Sequence, residues 1–214
     1  MDKYKITIET FNKLAEGYQD KFMDVSLYHD SLDVFCRLIT KPNAKVFEVG
    51  CGPGNLTKYL LSKRPDLIIE AIDMAPNMIE LARKNNPGAT FKIMDARDIN
   101  IVPGKFDAIM CGFCMPYLSK EDCAKLVKDC SFLLHEGGVF YFSTMEGDYS
   151  KSGFEKSSNG QDGGYMYYHQ ENYLLKMMKE NNFNLVKFKR QEFKKPDGTS
   201  NTDMIFIVKK RSMP

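Results

Sequence analysis

The sequence predicts an α/β protein built on a mostly parallel sheet with helices on both faces. Three observations carry that prediction. Apolar runs of strand length alternate with segments of helical apolar spacing from residue 45 to about residue 143. The first run, Lys45–Val49, passes straight into a glycine-rich turn, Gly50-Cys51-Gly52-Pro53-Gly54, that opens a helical segment. Two strand-like runs then close the chain in succession, as an antiparallel hairpin requires.

Taken in order, Phe11, Leu14, Ala15, Tyr18 and Phe22 have helical spacing over residues 7–23. A second helix is predicted over 26–39, burying Leu32, Phe35, Leu38 and Ile39. Both precede the first strand, so they are an appendage to the sheet. In the turn after that strand, Gly50, Gly52 and Gly54 leave room for a ligand against bare main chain. Pro53 stands near the helix start, where its missing N–H costs nothing. A phosphate-binding Walker loop would end in Gly-Lys-Ser/Thr, and a dinucleotide fingerprint would place glycine at 55, where this chain has Asn55. The carboxylate of Glu48, two residues before the first glycine, would repel a pyrophosphate and suits a cationic ligand.

Residues 66–73 form a second strand ending in Asp73, and Pro76 then opens a helix bearing Met78, Ile79, Leu81 and Ala82. An acid at that strand end can accept both hydroxyls of a ribose; Asp73 can also cap the next helix. Residues 90–96 form a third strand ending in Asp95, and residues 105–112 a fourth, followed by a loop from Phe113 to Tyr117. A helix over 121–134 is predicted to end at His135-Glu136-Gly137-Gly138, with His135 a cation favourable to the helix dipole. Strand five covers 139–143. Residues 144–164, rich in Gly, Ser, Asp and Lys, are predicted to be a long loop, and such loops are commonly functional. The aromatic run Tyr165-Met166-Tyr167-Tyr168-His169 reads as a substrate-side insertion, or as an edge strand or dimer contact. A last helix over 170–181 precedes strands at 185–193 and 204–208, joined through Lys195-Pro196-Asp197-Gly198-Thr199. Lysines 187, 189, 194 and 195 fit an acidic partner, or charges that keep edge strands from pairing.

With 214 residues, 43% of them hydrophobic and 27% charged, the chain can bury a sizeable core. A net charge of +2 supplies no large field for nucleic acid or membrane, so neither is expected as a partner. No apolar run has the length of a membrane span, and no apolar segment follows the first residues as in a signal peptide; a cytoplasmic address is expected. Cys111 and Cys114 form a C-x-x-C, but Cys123 and Cys130 are too far apart to complete a zinc ribbon. No metal is expected, and the cysteines read as reduced thiols.

The spacing Glu48-x-Gly50-x-Gly52-x-Gly54 resembles motif I of the class I S-adenosylmethionine-dependent methyltransferases, and Phe106-Asp107-Ala108-Ile109 resembles that family's fourth-strand motif. The resemblance covers roughly residues 45–208. It implies a Rossmann-like, seven-stranded, mostly parallel sheet of order 3-2-1-4-5-7-6 with the last strand antiparallel. It also implies an N-terminal helical lid over residues 1–42, a cofactor-binding half over 43–143, an insertion over 144–169 and a C-terminal helix and hairpin over 170–214, all in one domain. The cofactor implied is S-adenosyl-L-methionine, with S-adenosyl-L-homocysteine as product. Glu48, Gly50, Cys51, Gly52 and Asn55 would cradle its methionine part. Asp73, with Met74 and Met78, would take the ribose side. Asp95 and the N–H of Ala96 would read the adenine, and the carbonyls of Cys111 and Gly112 would accept from the ammonium. Tyr18 stands where relatives place a tyrosine at the cofactor's carboxylate end, and fits a core tyrosine equally.

Enzymes of the family that methylate DNA bases carry D/N/S-P-P-Y/F after the fourth strand. Cys114-Met115-Pro116-Tyr117 lacks the polar residue and one proline, which argues against that chemistry. The acceptor implied is a small molecule, with Phe113, Tyr117, Tyr149, Tyr165, Tyr167 and Tyr168 as candidate pocket walls. His29, His169 and Tyr117 are the candidate bases, against structural roles for each. A monomer or homodimer is expected. Two other readings stay open: a non-catalytic domain that binds the sulfonium cofactor, and a nicotinamide oxidoreductase, which Glu48 and Asn55 disfavour.

Overall fold

The computed structural model describes residues 2–156, 160–194 and 198–212. Helix α1 (Lys3–Lys13) starts four residues earlier than apolar spacing predicts, because Asp2 caps it by accepting the Tyr4 N–H at 3.0 Å. The backbone leaves helical geometry at Leu14, so α2 (Ala15–Phe22) is a separate helix. A short 3-10 turn (Ser26–Tyr28) leads into α3 (His29–Leu38).

The alternating series follows as β1 (Lys45–Val49), α4 (Asn55–Lys63), β2 (Ile68–Asp73), α5 (Pro76–Asn85), β3 (Thr90–Ile93) and β4 (Phe106–Cys111). Then come α6 (Lys120–Leu133), β5 (Leu134–Met145), a ribbon of β6 (Gly153–Lys156) and β7 (Gly163–Met166), α7 (Glu171–Glu180), β8 (Phe183–Lys194) and β9 (Ser200–Lys210). The main sheet has the order β3-β2-β1-β4-β5-β9-β8, and β6 pairs only with β7. Strands β1 to β5 run parallel where they pair, while β9 is antiparallel to both β5 and β8. Numbered within the sheet alone, this is the predicted 3-2-1-4-5-7-6.

Two apolar layers hold the sheet. Phe47, Ile109, Phe140, Phe142 and Phe206 face α6 and α7, while Val46, Ile69, Tyr141, Ile205 and Ile207 face α3, α4 and α5. A parallel sheet covered on both faces needs apolar residues in consecutive positions, which is why β1, β4 and β5 read as unbroken apolar runs. Each fully buried Ile or Phe contributes about 1.5–3 kcal/mol relative to exposure.

Two elements depart from the sequence reading. The stretch from His135 to Gly138 belongs to β5, not to a helix cap. Leu134 is already extended and pairs with Phe106, and the register then shifts so that Ala108 meets Val139. A bulge absorbs the extra residues that look like a glycine cap in sequence. The predicted loop over 144–164 contains β6 and the start of β7. Lys195-Pro196-Asp197, the first three residues of the predicted hairpin turn, lie outside the described residues. Lys187 and Lys189 approach Asp30 at 3.5 and 2.9 Å.

Candidate active site

A cavity opens above the C-terminal ends of β1, β2 and β4, where the strand order reverses. That is the position at which open α/β sheets bind ligands. Its floor is the turn after β1. Gly50 lies at φ +70°, and a Cβ there would stand 2.7 Å from Cβ of Cys114, so only glycine fits. The N–H groups of Gly50 and Cys51 both donate to the Ile72 carbonyl at 2.9 Å, which ties the turn to β2. Gly52, at φ +52°, has only Tyr18 within 4 Å of where a Cβ would be, and so presents bare backbone to the cavity. Asn55 lines the cavity and also reaches α2, donating from Nδ2 to the Phe22 carbonyl at 2.9 Å.

Asp73, the last residue of β2, stands at the next edge. Oδ2 accepts the Gly52 N–H and Oδ1 the Ala75 N–H, each at 2.9 Å. It therefore braces the glycine turn and the entry to α5 while each oxygen keeps a lone pair free. Burial pushes its carboxyl up despite those bonds. Met74 and Met78 line the same side.

Asp95 lies two residues beyond β3. It accepts the Arg97 N–H at 2.8 Å and holds the Arg97 guanidinium at 2.6 Å. Burial pushes this carboxyl up, but the bonds to Arg97 outweigh it and leave it below the ordinary carboxylate range. Asp95, Ala96 and Gly112 all line the cavity.

Glu48 is placed differently. It sits one residue before the end of β1, 1% exposed, beneath α4 rather than at the cavity surface. Thr57 Oγ1 donates to its Oε2 at 2.5 Å, while Oε1 has no partner among the described residues. Burial pushes its carboxyl up to about 8, and the Asp73 charge adds to this against the opposing Thr57 bond. Cys111 is likewise buried below the surface, its thiol pushed up by the neighbouring Cys114 thiol and by burial.

Helix α1 forms the roof, placing Tyr4, Thr7, Ile8 and Phe11 over the opening, with Tyr18 of α2 beside them. Tyr4 donates to Asp122 and accepts the Ser119 N–H at 3.1 Å. The β6–β7 ribbon braces α1 from outside: Thr10 Oγ1 donates to the Gly163 carbonyl at 2.7 Å, and the Tyr165 N–H donates to Thr7 Oγ1 at 2.9 Å. Sequence reasoning missed Tyr4 and Ile8. Asp2 as a cap, with Tyr4, Ile8 and Phe11 at positions i, i+4 and i+7, is the signal that could have found them.

Of the aromatic candidates, Phe113 and Tyr117 line the cavity and the other four do not. Tyr149 stacks on Tyr167 at 6.1 Å, Tyr165 packs on Phe154 at 5.6 Å, and Tyr168 donates to Glu155 at 2.5 Å. They hold the ribbon together. Both histidines also stand outside. His29 is exposed and stacked on Tyr59 at 4.5 Å. His169 is fully buried, with Nδ1 bonded to Tyr173 Oη and Nε2 3.2 Å from the Met115 carbonyl. Burial pushes it down to about 4, so it stays neutral near neutral pH. Cys114 lines the cavity, although the sequence offered no functional reason for it. All six cysteines are free, and no group of three metal-ligating side chains occurs among the described residues. No helix of the described residues is long and apolar enough to cross a membrane.

Residues 46–138 match a family model described as a methyltransferase domain. The putative methyltransferase 235L of Invertebrate iridescent virus 6 is 33% identical over 118 residues, covering 55% of this chain and 43% of the viral protein. The ubiquinone biosynthesis O-methyltransferase of Xanthomonas campestris pv. campestris is 29% identical over 119 residues, covering 53% of this chain and 48% of that protein. The chain thus spans about half the length of the curated relatives it matches. In fold it superimposes on magnesium protoporphyrin IX methyltransferase from Synechocystis PCC 6803 with bound SAM, with a TM-score of 0.72 and 17% identity, over 99% of this chain and 98% of the other. Sheet order, glycine turn and family match together define a Rossmann-like methyltransferase fold. Residues 46–138 thus carry a methyltransferase domain, and the chain has the fold of the class I S-adenosylmethionine-dependent methyltransferases.

Proposed function

We propose that the chain transfers a methyl group from S-adenosylmethionine to a small-molecule acceptor. One observation carries the reading: the bare turn Gly50–Gly52, the strand-end acid Asp73, the Asp95–Ala96 edge and Gly112 converge on one cavity at the reversal of strand order. The residues fit the cofactor chemically. Side-chain-free backbone at Gly50 and Gly52 gives an amino-acid moiety close approach, and the free lone pairs of Asp73 suit vicinal hydroxyls. Met74, Met78 and Ala96 offer apolar surface to a flat base.

The bound cofactor supplies a sulfonium methyl, ready for in-line displacement. The chain's own part is alignment and exclusion of water. Alignment alone corresponds to about 7–11 kcal/mol of barrier in well-oriented reactions. The aromatic faces of Tyr4, Phe11, Tyr18, Phe113 and Tyr117 supply a partly dry enclosure in which charge neutralisation is favoured.

Calorimetry with S-adenosylhomocysteine tests the reading. The wild type should bind, and Asp73→Ala should lose about 1–3 kcal/mol of affinity, the effect of deleting a carboxylate that receives hydroxyl donors. Equal affinity in the two proteins, with the variant folded, would remove Asp73 from the ribose role. Absence of wild-type binding would remove the function.

A further inference from the structure

Neither His29 nor His169 lines the cavity, and burial pushes the hydroxyl of Tyr117, which does line it, up and away from ionisation, which leaves a place for a further proton-handling group behind the cavity wall. Asp203 of β9 is the candidate. It sits opposite Met145, the last residue of β5, on the sheet face shared with Tyr141 and Ile205, and is only 4% exposed. A carboxylate so deeply buried is ordinarily paired with a cation, yet Asp203 has no ion pair among the described residues. Among the described residues its carboxylate receives one hydrogen bond, from Tyr28 Oη, which donates to Oδ2 at 2.6 Å. The nearby charges are engaged elsewhere. Lys187 and Lys189 hold Asp30, Arg190 holds Glu146 and Glu171, and the residue facing Asp203 on β8 is Gln191.

Of the described tyrosines Tyr28 alone bonds to this carboxylate, and the Asp203 charge also reaches the hydroxyls of three further tyrosines. Burial first, and then the Asp203 charge, push the hydroxyl of Tyr28 up. Tyr141 is pushed up by burial and then by Asp203, against its bond to Ser31. Tyr117 responds to burial and several neighbouring groups, Asp203 among them. Tyr18 responds to burial, then to Asp73, then to Asp203. Its hydroxyl therefore lies in the field of both carboxylates, of which Asp73 lines the cavity. Phe113 stands between the cavity and the Tyr28–Asp203 pair. Its ring packs edge-on against Tyr28 at 4.7 Å, and its backbone is held at φ +62° with its N–H donated to Ser143 Oγ at 2.9 Å. A non-glycine residue in that conformation is kept there only by its surroundings, and such positions cluster at functional sites.

We propose that Asp203 is the catalytic carboxylate of the acceptor subsite, which continues past Phe113 and takes a flat, weakly basic nitrogen heterocycle bound as its cation. The inference rests on the proposed methyl transfer. A carboxylate without a cationic partner among the described residues, reached past the aromatic rings of Phe113 and Tyr28, is the recognition set for such a cation. Burial also holds Asp203 at about 6, close to the pH at which a general base is most effective. The acceptor N–H proton passes to Asp203 Oδ1, and the freed nitrogen lone pair forms the new N–C bond. The C–S electron pair stays on sulfur, and the neutral Asp203 returns its proton to water when product leaves.

Binding of three flat probes in the presence of S-adenosylhomocysteine at pH 6 tests this: benzimidazole, indole, which has its shape without a basic nitrogen, and benzoate. The wild type should bind benzimidazole at least about fivefold tighter than either of the others. Asp203→Asn should abolish that preference while S-adenosylhomocysteine affinity stays within about twofold. Tyr28→Phe, which removes the hydroxyl that donates to Asp203 Oδ2 and keeps the ring, should alter the preference at least about threefold and serves if the Asn variant does not fold. Benzimidazole binding no better than indole or benzoate, or not at all, overturns the proposal, as does a preference that survives both substitutions. If S-adenosylhomocysteine itself does not bind, the cofactor reading fails instead.

Discussion

Glu48→Gln is the substitution whose effect is most directly worked out from burial. In the folded chain the carboxyl of Glu48 is fully enclosed and titrates at about 8, against an ordinary 4.5. Above pH 4.5 the unfolded chain ionises this group while the folded chain keeps it protonated. The folded state then binds more protons, so stability falls as pH rises from about 4.5 to about 8 and is level above that. At about 1.4 kcal/mol per pH unit, the full fall is roughly 5 kcal/mol, of which roughly 4 lies between pH 5 and pH 8. Glutamine matches the shape of the protonated acid, can accept the Thr57 hydroxyl proton, and never ionises. Urea unfolding at pH 5, 6.5 and 8 should show the variant close to the parent at pH 5 and increasingly more stable above it, by up to roughly 4 kcal/mol at pH 8. Comparing variant with parent at each pH cancels the slopes that Asp203 and His169 contribute to both. A difference that does not change with pH would refute the reasoning, because it would mean that Glu48 is ionised in the folded chain.

Gly50→Ala should cost at least about 1–2 kcal/mol from its positive φ alone, with the 2.7 Å approach to Cys114 added. Thermal melts should show a lowered Tm, and calorimetry should show S-adenosylhomocysteine binding at least about tenfold weaker. Tyr4→Phe removes the donor to Asp122 and the acceptor for the Ser119 N–H. It should loosen α1 by about 1–2 kcal/mol, read as faster amide exchange over Lys3–Lys13 with β1 and β4 unchanged.

The strands were legible because a sheet buried on both faces forces apolar residues into adjacent positions, a signal that survives without context. The glycine turn was legible for a similar reason, since positive φ and close approach restrict the residue type. What could not be read was contact between segments distant in sequence. The ribbon β6–β7 is rich in glycine and polar residues, and its purpose as a brace appears only when Thr7 and Thr10 of α1 supply its partners. The aromatic run from Tyr165 to Tyr168 looked like pocket wall because aromatics suit both pockets and small satellite cores. The β5 start was misread because a bulge and a helix cap both use glycine.

The three acids show most clearly where sequence pattern stops. Glu48, Asp73 and Asp95 each follow an apolar run before a turn, and in sequence they look equivalent. Their depth relative to the strand end separates them. Asp95 lies two residues past β3, Asp73 is the last residue of β2, and Glu48 is still inside β1 with Val49 to follow. Side chains alternate faces along a strand, so the residue before the last is committed to the sheet's covered face, here under α4 at Thr57, while residues at or beyond the end are free to meet a ligand. A buried carboxyl that titrates at about 8 is neutral at pH 7 and attracts no cation by itself. It can do so only if the cation's arrival lowers that value, and then binding at pH 7 must release a proton.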